Sequence, residues 1–234
     1  MTRFARATLV SMAMTCVLAS SGCNTASMML GQVTNQTKVK GSGVADTQQR
    51  SVGKFSRLNV SSAIHANVTV GGAQKIVVTA DDNIVPLIKT EVRKKTLYLS
   101  LEPRTSINTT TGMEVSVTVP ELSAINCSGA TQVNVKSLSG DTFFVDASGA
   151  ARIQLEGAIT RLELDASGSA KIDAKKAKTE SVKVDASGAA KIQVFATGSV
   201  AGGASGAANI QVSGGPHTTK IDRSGASKVS YDNE

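Results

Sequence analysis

Aromatic side chains are scarce in this chain, at 3% of 234 residues, with no Trp, two Tyr and five Phe. Its core must therefore come from Val, Ile, Leu and Ala, the bulk of an apolar fraction of 41%. Thin stacked layers suit that composition better than a globular interior, because each layer repeats the same small side chains. Proline is also rare (4 residues), whereas glycine is plentiful (21). The chain turns often, and its turns rest on glycine's permissive backbone. Histidine occurs twice, at His65 and His217 in unrelated contexts. That excludes a His-rich metal centre and leaves Cys127 without a partner base for nucleophilic work. Cys127 sits in a strand-like segment and reads as a small buried filler. No Gly-x-Ser-x-Gly elbow, phosphate loop or Cys/His cluster occurs, and Phe55 stands where the Ser/Thr of a phosphate loop would follow Gly53-Lys54. No cofactor and no metal ligand set is expected.

The first 22 residues read as an export signal. Arg3 and Arg6 form a positive start, and residues 7–19 (ATLVSMAMTCVLA) an apolar stretch too short for a stable membrane anchor. Ser20-Ser21-Gly22-Cys23 follows, small residues ending in a Cys. This resembles a bacterial lipoprotein signal, which implies that Cys23 is acylated and becomes the new N-terminus. Ser20 departs from the pattern, which usually has Leu there, and ordinary cleavage near residues 19–26 is the alternative. Multiple acyl chains on Cys23 would hold the protein at a membrane, since one chain binds only marginally. Asn24, rather than Asp, points to the outer membrane. With Cys16 and Cys23 so accounted for, Cys127 is alone and no disulfide is available. Removing Arg3 and Arg6 lowers the formal charge from +7 to about +5, spread along the chain. Mild dispersed basicity without stacking rings suits anionic envelope polymers and not nucleic acid.

Residues 23–39 are small and polar, a tether. Residues 40–122 carry short β-type runs with alternating apolar positions, such as Leu97, Leu99 and Leu101, or Val115, Val117 and Val119. Asp82–Arg93 is read as the one helical turn, with Asp82 as its N-cap. Residues 123–234 hold an internal repeat. Ser-Gly-small recurs at Ser128-Gly129, Ser148-Gly149, Ser167-Gly168, Ser187-Gly188, Ser205-Gly206 and Ser224-Gly225, at intervals of 20, 19, 20, 18 and 19. A period near 19 marks a solenoid. Val145-Asp146-Ala147, Leu164-Asp165-Ala166 and Val184-Asp185-Ala186 precede three corners, and Arg152-Ile153, Lys171-Ile172, Lys191-Ile192 and Lys228-Val229 follow four. Nineteen residues are too few for a strand-helix-strand unit. They suit one coil of short strands, stacked on its neighbours at about 4.8 Å with like residues above like. The fold expected is all-β, a single-stranded right-handed parallel β-helix.

The run Phe55-Ser-Arg-Leu-Asn-Val, Thr79-Ala-Asp-Asp-Asn-Ile, Thr96-Leu-Tyr-Leu, Val119-Pro-Glu-Leu-Ser-Ala-Ile and the serial Ser-Gly-Ala corners resembles the auto-transporter adhesin head GIN domain family. The resemblance spans about residues 40–230. It implies a right-handed β-helix in exported proteins of Gram-negative bacteria, with no catalytic set to carry over. Ala201-Gly202-Gly203 departs from the pattern, since the Asp expected before the corner is missing.

Two charged columns are the candidate surfaces: Asp146, Asp165 and Asp185, and the basic Arg152, Lys171, Lys191 and Lys228. Stacked carboxylates repel, so they would share Ca²⁺ or face neighbouring cations. The favoured reading has the two columns neutralise each other across the corner, and the glycine-rich nonapeptide of calcium β-rolls is absent. Charges that belong to a repeat suit extended binding better than one reaction centre. The expected function is a non-catalytic envelope lipoprotein with an adhesin-like surface for a polysaccharide, envelope polymer or envelope protein. The alternative is a polysaccharide lyase or hydrolase on the same fold. Self-association through open solenoid ends is a third reading, with Asp232-Asn233-Glu234 guarding one end; the sequence leaves the oligomeric state open.

Overall fold

Strands with one buried face need partners, and here each coil finds them in the coils on either side. The computed structural model describes residues 37–232. The export segment, Cys23 and the tether up to residue 36 lie outside the described residues, as do Asn233 and Glu234. The rest forms a right-handed β-solenoid of about 5 turns.

The regular half follows from its repeat. Gln132–Ala147, Arg152–Ala166, Lys171–Ala186 and Lys191–Ala204 are long strands, each pairing in parallel with the next. Each runs from one Ser-Gly corner to the next, so one coil is one strand plus one corner. Alternation does the sorting: in Lys171–Ala174, Ile172 and Ala174 are buried while Lys171 is exposed. Ile153, Ile172, Ile192 and Ile210 stack in one inner column, each at most 1% exposed. Beside the corners the interior narrows to small side chains. Cys127, Ala147, Ala166, Ala186 and Ala204 form one wall, and Thr131, Ala151, Ala170, Ala190 and Ala208 the other. The uneven period of 18 to 20 is absorbed away from the corners. Register shifts fall at Val135/Leu138, Gln154/Glu156 and Ala174/Lys178, and the residues flanking the corners stay aligned.

The corners show why glycine recurs. Gly149, Gly168, Gly188, Gly206 and Gly225 all have φ near +70°, and they stack directly. A Cβ on Gly188 would lie 2.7 Å from the Gly168 carbonyl oxygen. That oxygen accepts the Ala189 N–H at 2.7 Å, and the same bond recurs from Ser169 to Gly149 and from Ala207 to Gly188. Each corner therefore hydrogen-bonds to the one below it.

The first half departs from simple winding. The strands Arg57–Val60 and His65–Val70 form a coil that lies between two others. On one side it pairs with Thr96–Leu101 and Glu114–Val119, and on the other with Ala124–Cys127 and the start of Gln132–Ala147. Spatial order is thus 96–119, then 57–70, then 124–147. The outer edge of the 96–119 coil is closed by antiparallel strands: Ile88–Arg93 on Thr96–Leu101, and Lys75–Asp81 on Glu114–Val119, with Ala45–Arg50 beyond. Such strands end a parallel stack and remove its open edge.

Two expectations are corrected here. Within Asp82–Arg93 only Val85–Leu87 is helical, a 3₁₀ turn whose N-cap is Ile84 and not Asp82. Ile88–Arg93 is a strand, paired antiparallel with Thr96–Leu101 along its full length. In addition, Thr37–Lys40, whose first three residues fall in the segment read as tether, is a strand paired with Thr105–Asn108.

Candidate functional site

The solenoid turns one column of outward side chains to each position around the coil, and two faces meet at the Ser-Gly corner. The Ser128, Ser148, Ser167, Ser187 and Ser205 side chains are half-buried there, and their backbones are committed to stacking bonds such as Ser187 N–H to Ala166 O at 2.9 Å. The corner is a structural seam between the faces.

On the face before the corner, Asp146, Asp165 and Asp185 occupy adjacent register positions and are exposed. The column is longer than the repeat suggests. Asn59 and Asn126 continue it below Asp146, and Tyr98 lies beyond Asn59. Asn59 donates from Nδ2 to Asn126 Oδ1 at 3.3 Å, and Asn126 donates to Asp146 Oδ2 at 2.8 Å. Partial burial, followed by the charge of Asp165, pushes the Asp146 carboxyl above its ordinary value. Gly203 interrupts the column between Asp185 and Asp222. Tyr98, Asn59, Asn126, Asp146, Asp165 and Asp185 line a groove of about 440 Å³ together with the exposed Phe144.

On the face after the corner, Arg152, Lys171 and Lys191 stack in register, Asn209 interrupts them, and Lys228 follows. Next to them runs an amide column, Gln154, Asp173, Gln193 and Gln211. Gln193 donates from Nε2 to Gln211 Oε1 at 2.5 Å. Asp173 Oδ1 accepts the Lys175 N–H at 3.2 Å, so this one carboxylate is engaged with its own strand. The two columns line a groove of about 340 Å³.

The expectation that the acidic and basic columns neutralise each other is not met. Among the described residues the ion pairs are Lys89 with Glu102 and Arg93 with Glu91, both in the first half. The physical reason is the corner itself: it turns the chain between Asp185 and Lys191, so the two columns line different grooves. No ion pair joins the two columns, and Arg57 and Lys183 are the cations that line the groove of the acidic one.

Cys127 is fully buried, and desolvation followed by the charge of Asp146 pushes its thiol up to about 12. It is a filler in the small-residue wall. His65 is exposed, between Glu114 and Gln132 in the stack, and His217 is exposed in a bend. Among the described residues no three His, Cys, Asp or Glu side chains are grouped to hold a metal.

Sequence reasoning missed three features. The amides Asn59 and Asn126 were legible as the same apolar-polar-apolar-Ser pattern that surrounds Asp146, in Leu58-Asn59-Val60-Ser61 and Ile125-Asn126-Cys127-Ser128. A further corner lies at Ser61-Ser62-Ala63, where Ser62 takes the left-handed conformation at φ 70° and Gly129 stacks on its carbonyl. Finally, Asp81 is fully buried and accepts hydrogen bonds from Thr109 Oγ1 and, at 2.9 Å, from Gly43 N–H. Led by the Thr109 bond, and against desolvation, these hold its carboxyl below the ordinary value. No local signal joins residues 43, 81 and 109.

Solved structures share this architecture. A putative adhesin from Bacteroides fragilis NCTC 9343 matches with a TM-score of 0.70 at 21% identity, over 83% of this chain and 100% of that one. A putative adhesin from Parabacteroides distasonis ATCC 8503 matches with a TM-score of 0.58 at 20% identity, over 83% and 100%. A putative lipid binding protein from the same strain gives 0.54 at 15% identity, over 84% and 100%. At these identities the likeness is one of fold. Among curated proteins none matches the chain. The family profile matches residues 54–216, most of the solenoid, and the chain belongs to the family described as "Putative auto-transporter adhesin, head GIN domain".

Proposed function

We propose that the chain is a non-catalytic envelope lipoprotein whose solenoid serves as an adhesin-like scaffold for extended ligands such as glycans or envelope polymers. The observation that carries this reading is the arrangement of polar groups. The chemistry-bearing side chains lie in register columns along the axis, one per coil, and not in a convergent cluster. A column offers the same group at about 4.8 Å steps, which matches a polymer that repeats its own groups. Membership of an adhesin family supports the same reading. The lipid anchor at Cys23 is part of the proposal and places the scaffold at a membrane, the outer one by the residue that follows it.

Binding of the purified chain to a glycan array and to isolated envelope fractions tests the scaffold role; flat results on both would remove it. Release of new reducing ends or unsaturated products from polysaccharides would instead reveal an enzyme. Labelling cells with a clickable fatty acid reports the anchor, and Cys23→Ala should abolish the label.

A further inference from the structure

The groove beside Arg152, Lys171 and Lys191 has chemistry of its own. Three cations stand in adjacent coils, exposed, with no carboxylate within ion-pair distance among the described residues. Alongside them Gln154, Gln193 and Gln211 offer both donors and acceptors, and Asp173, between Gln154 and Gln193, is the one carboxylate that lines the groove. Like charges one strand step apart repel. A column of cations left unpaired is relieved most by a ligand bringing one negative charge per coil.

We infer that this basic and amide face is a binding site for a linear acidic polysaccharide, a polyuronate-like chain lying parallel to the solenoid axis. The inference rests on the scaffold reading above and gives it a face and a ligand charge. A 1,4-linked uronate carries one carboxylate per ring. One negative charge per ring gives the polymer a linear charge density comparable to one cation per ~4.8 Å strand step, the charge match on which the inference rests. Hydroxyls of the rings meet the glutamines, which supply the part of the binding that salt does not screen. Single-stranded nucleic acid is a poorer fit, since it is held by bases stacked on aromatic rings. Of the exposed rings, Tyr98 and Phe144 line the acidic groove on the other side of the corner, and Tyr231, on the strand of Lys228, does not line the basic one. An anionic membrane surface also fits less well. Large exposed apolar side chains among the described residues are Val44, Tyr98, Phe144 and Tyr231, and none of them lines this groove.

The test is retention of the full chain on immobilised alginate, with dextran as neutral matrix and single-stranded DNA and phosphatidylserine vesicles as competitors. The expected result is retention on alginate that weakens with salt. Arg152→Gln, Lys171→Gln and Lys191→Gln combined should lower the affinity at least tenfold, with far-UV circular dichroism unchanged. Asp146→Asn, Asp165→Asn and Asp185→Asn combined should leave it intact, because they line the other groove. Gln154→Ala with Gln193→Ala should weaken the retention that persists at high salt. Equal retention of the triple glutamine variant would overturn the inference, as would DNA or vesicles displacing alginate at lower charge concentration. If dextran retains the chain independently of the three cations, the scaffold reading stands and the acidic-polymer site falls. If no matrix retains it, the acidic-polymer site falls, while the scaffold reading stands or falls with the glycan array and the envelope fractions.

Discussion

Single residues decide whether coils can stack. Gly188 has φ +69° and no room for a Cβ beside the Gly168 carbonyl. In Gly188→Ala the left-handed backbone alone costs about 1–2 kcal/mol, and displacement of the neighbouring corner adds to it. A urea melt should show a lower midpoint than that of a surface Ala substitution. Ser62 offers the converse. It occupies the same corner position with φ 70°, so Ser62→Gly should stabilise by up to about 1 kcal/mol, the conformational strain it relieves.

Asp81 makes an acid-sensitive anchor. Its carboxyl titrates below the unfolded value of 3.8 because the Thr109 hydroxyl and then the Gly43 amide bind the charged form, against the desolvation that opposes them. A lowered value contributes stability that is present above pH 3.8 and is lost as pH falls through the folded value. Hydrogen exchange of the Gly43 amide should therefore accelerate below that point. Asp81→Asn should already show faster exchange at neutral pH, and unchanged protection would refute the anchor.

At the scale of strands and columns, Asp146 at the lower end of the acidic run titrates in the opposite sense. Asp146 is raised, first by burial and then by Asp165. Its contribution is greatest below pH 3.8 and declines as pH rises through the folded value. Asp146→Asn should remove that pH dependence and leave the protein equally or slightly more stable at pH 7. The gain should stay under about 1 kcal/mol, because the carboxyl is largely exposed and screened. The inner walls should be less forgiving. Ala170 lies between Ala151 and Ala190 with no exposure, and Ala170→Leu should cost about 1–3 kcal/mol by overpacking the narrow end of the coil.

The regular columns were legible because stacking imposes the same residue type at the same point of every coil. Ser187-Gly188, Asp185 and Lys191 repeat their neighbours for that physical reason. The strand Ile88–Arg93 was not legible. Ile84, Leu87 and Ile88 at its start have a helical spacing, which the turn Val85–Leu87 takes up only briefly before pairing with Thr96–Leu101 extends the chain. The separation of the two charged columns was equally hidden, since residues six apart in sequence give no sign that a corner turns them into different grooves.

For the whole molecule, the consequence is a stack whose spatial order differs from its sequence order at one end. Residues 96–119 form the outer coil, capped by antiparallel strands, and 57–70 lie inside it. The 57–70 coil therefore pairs with 124–147 on the side opposite 96–119. That cap forbids another parallel stack at this end. Column order places Glu114, His65, Gln132, Arg152, Lys171, Lys191, Asn209 and Lys228 one strand step apart in turn. The most direct test is a set of spin-label distances from position 228. At ~4.8 Å per step they should rise from about 24 Å to residue 132, to about 29 Å to residue 65 and about 34 Å to residue 114. A distance to 65 longer than that to 114, or distances that do not grow step by step, would contradict coils stacked in this order.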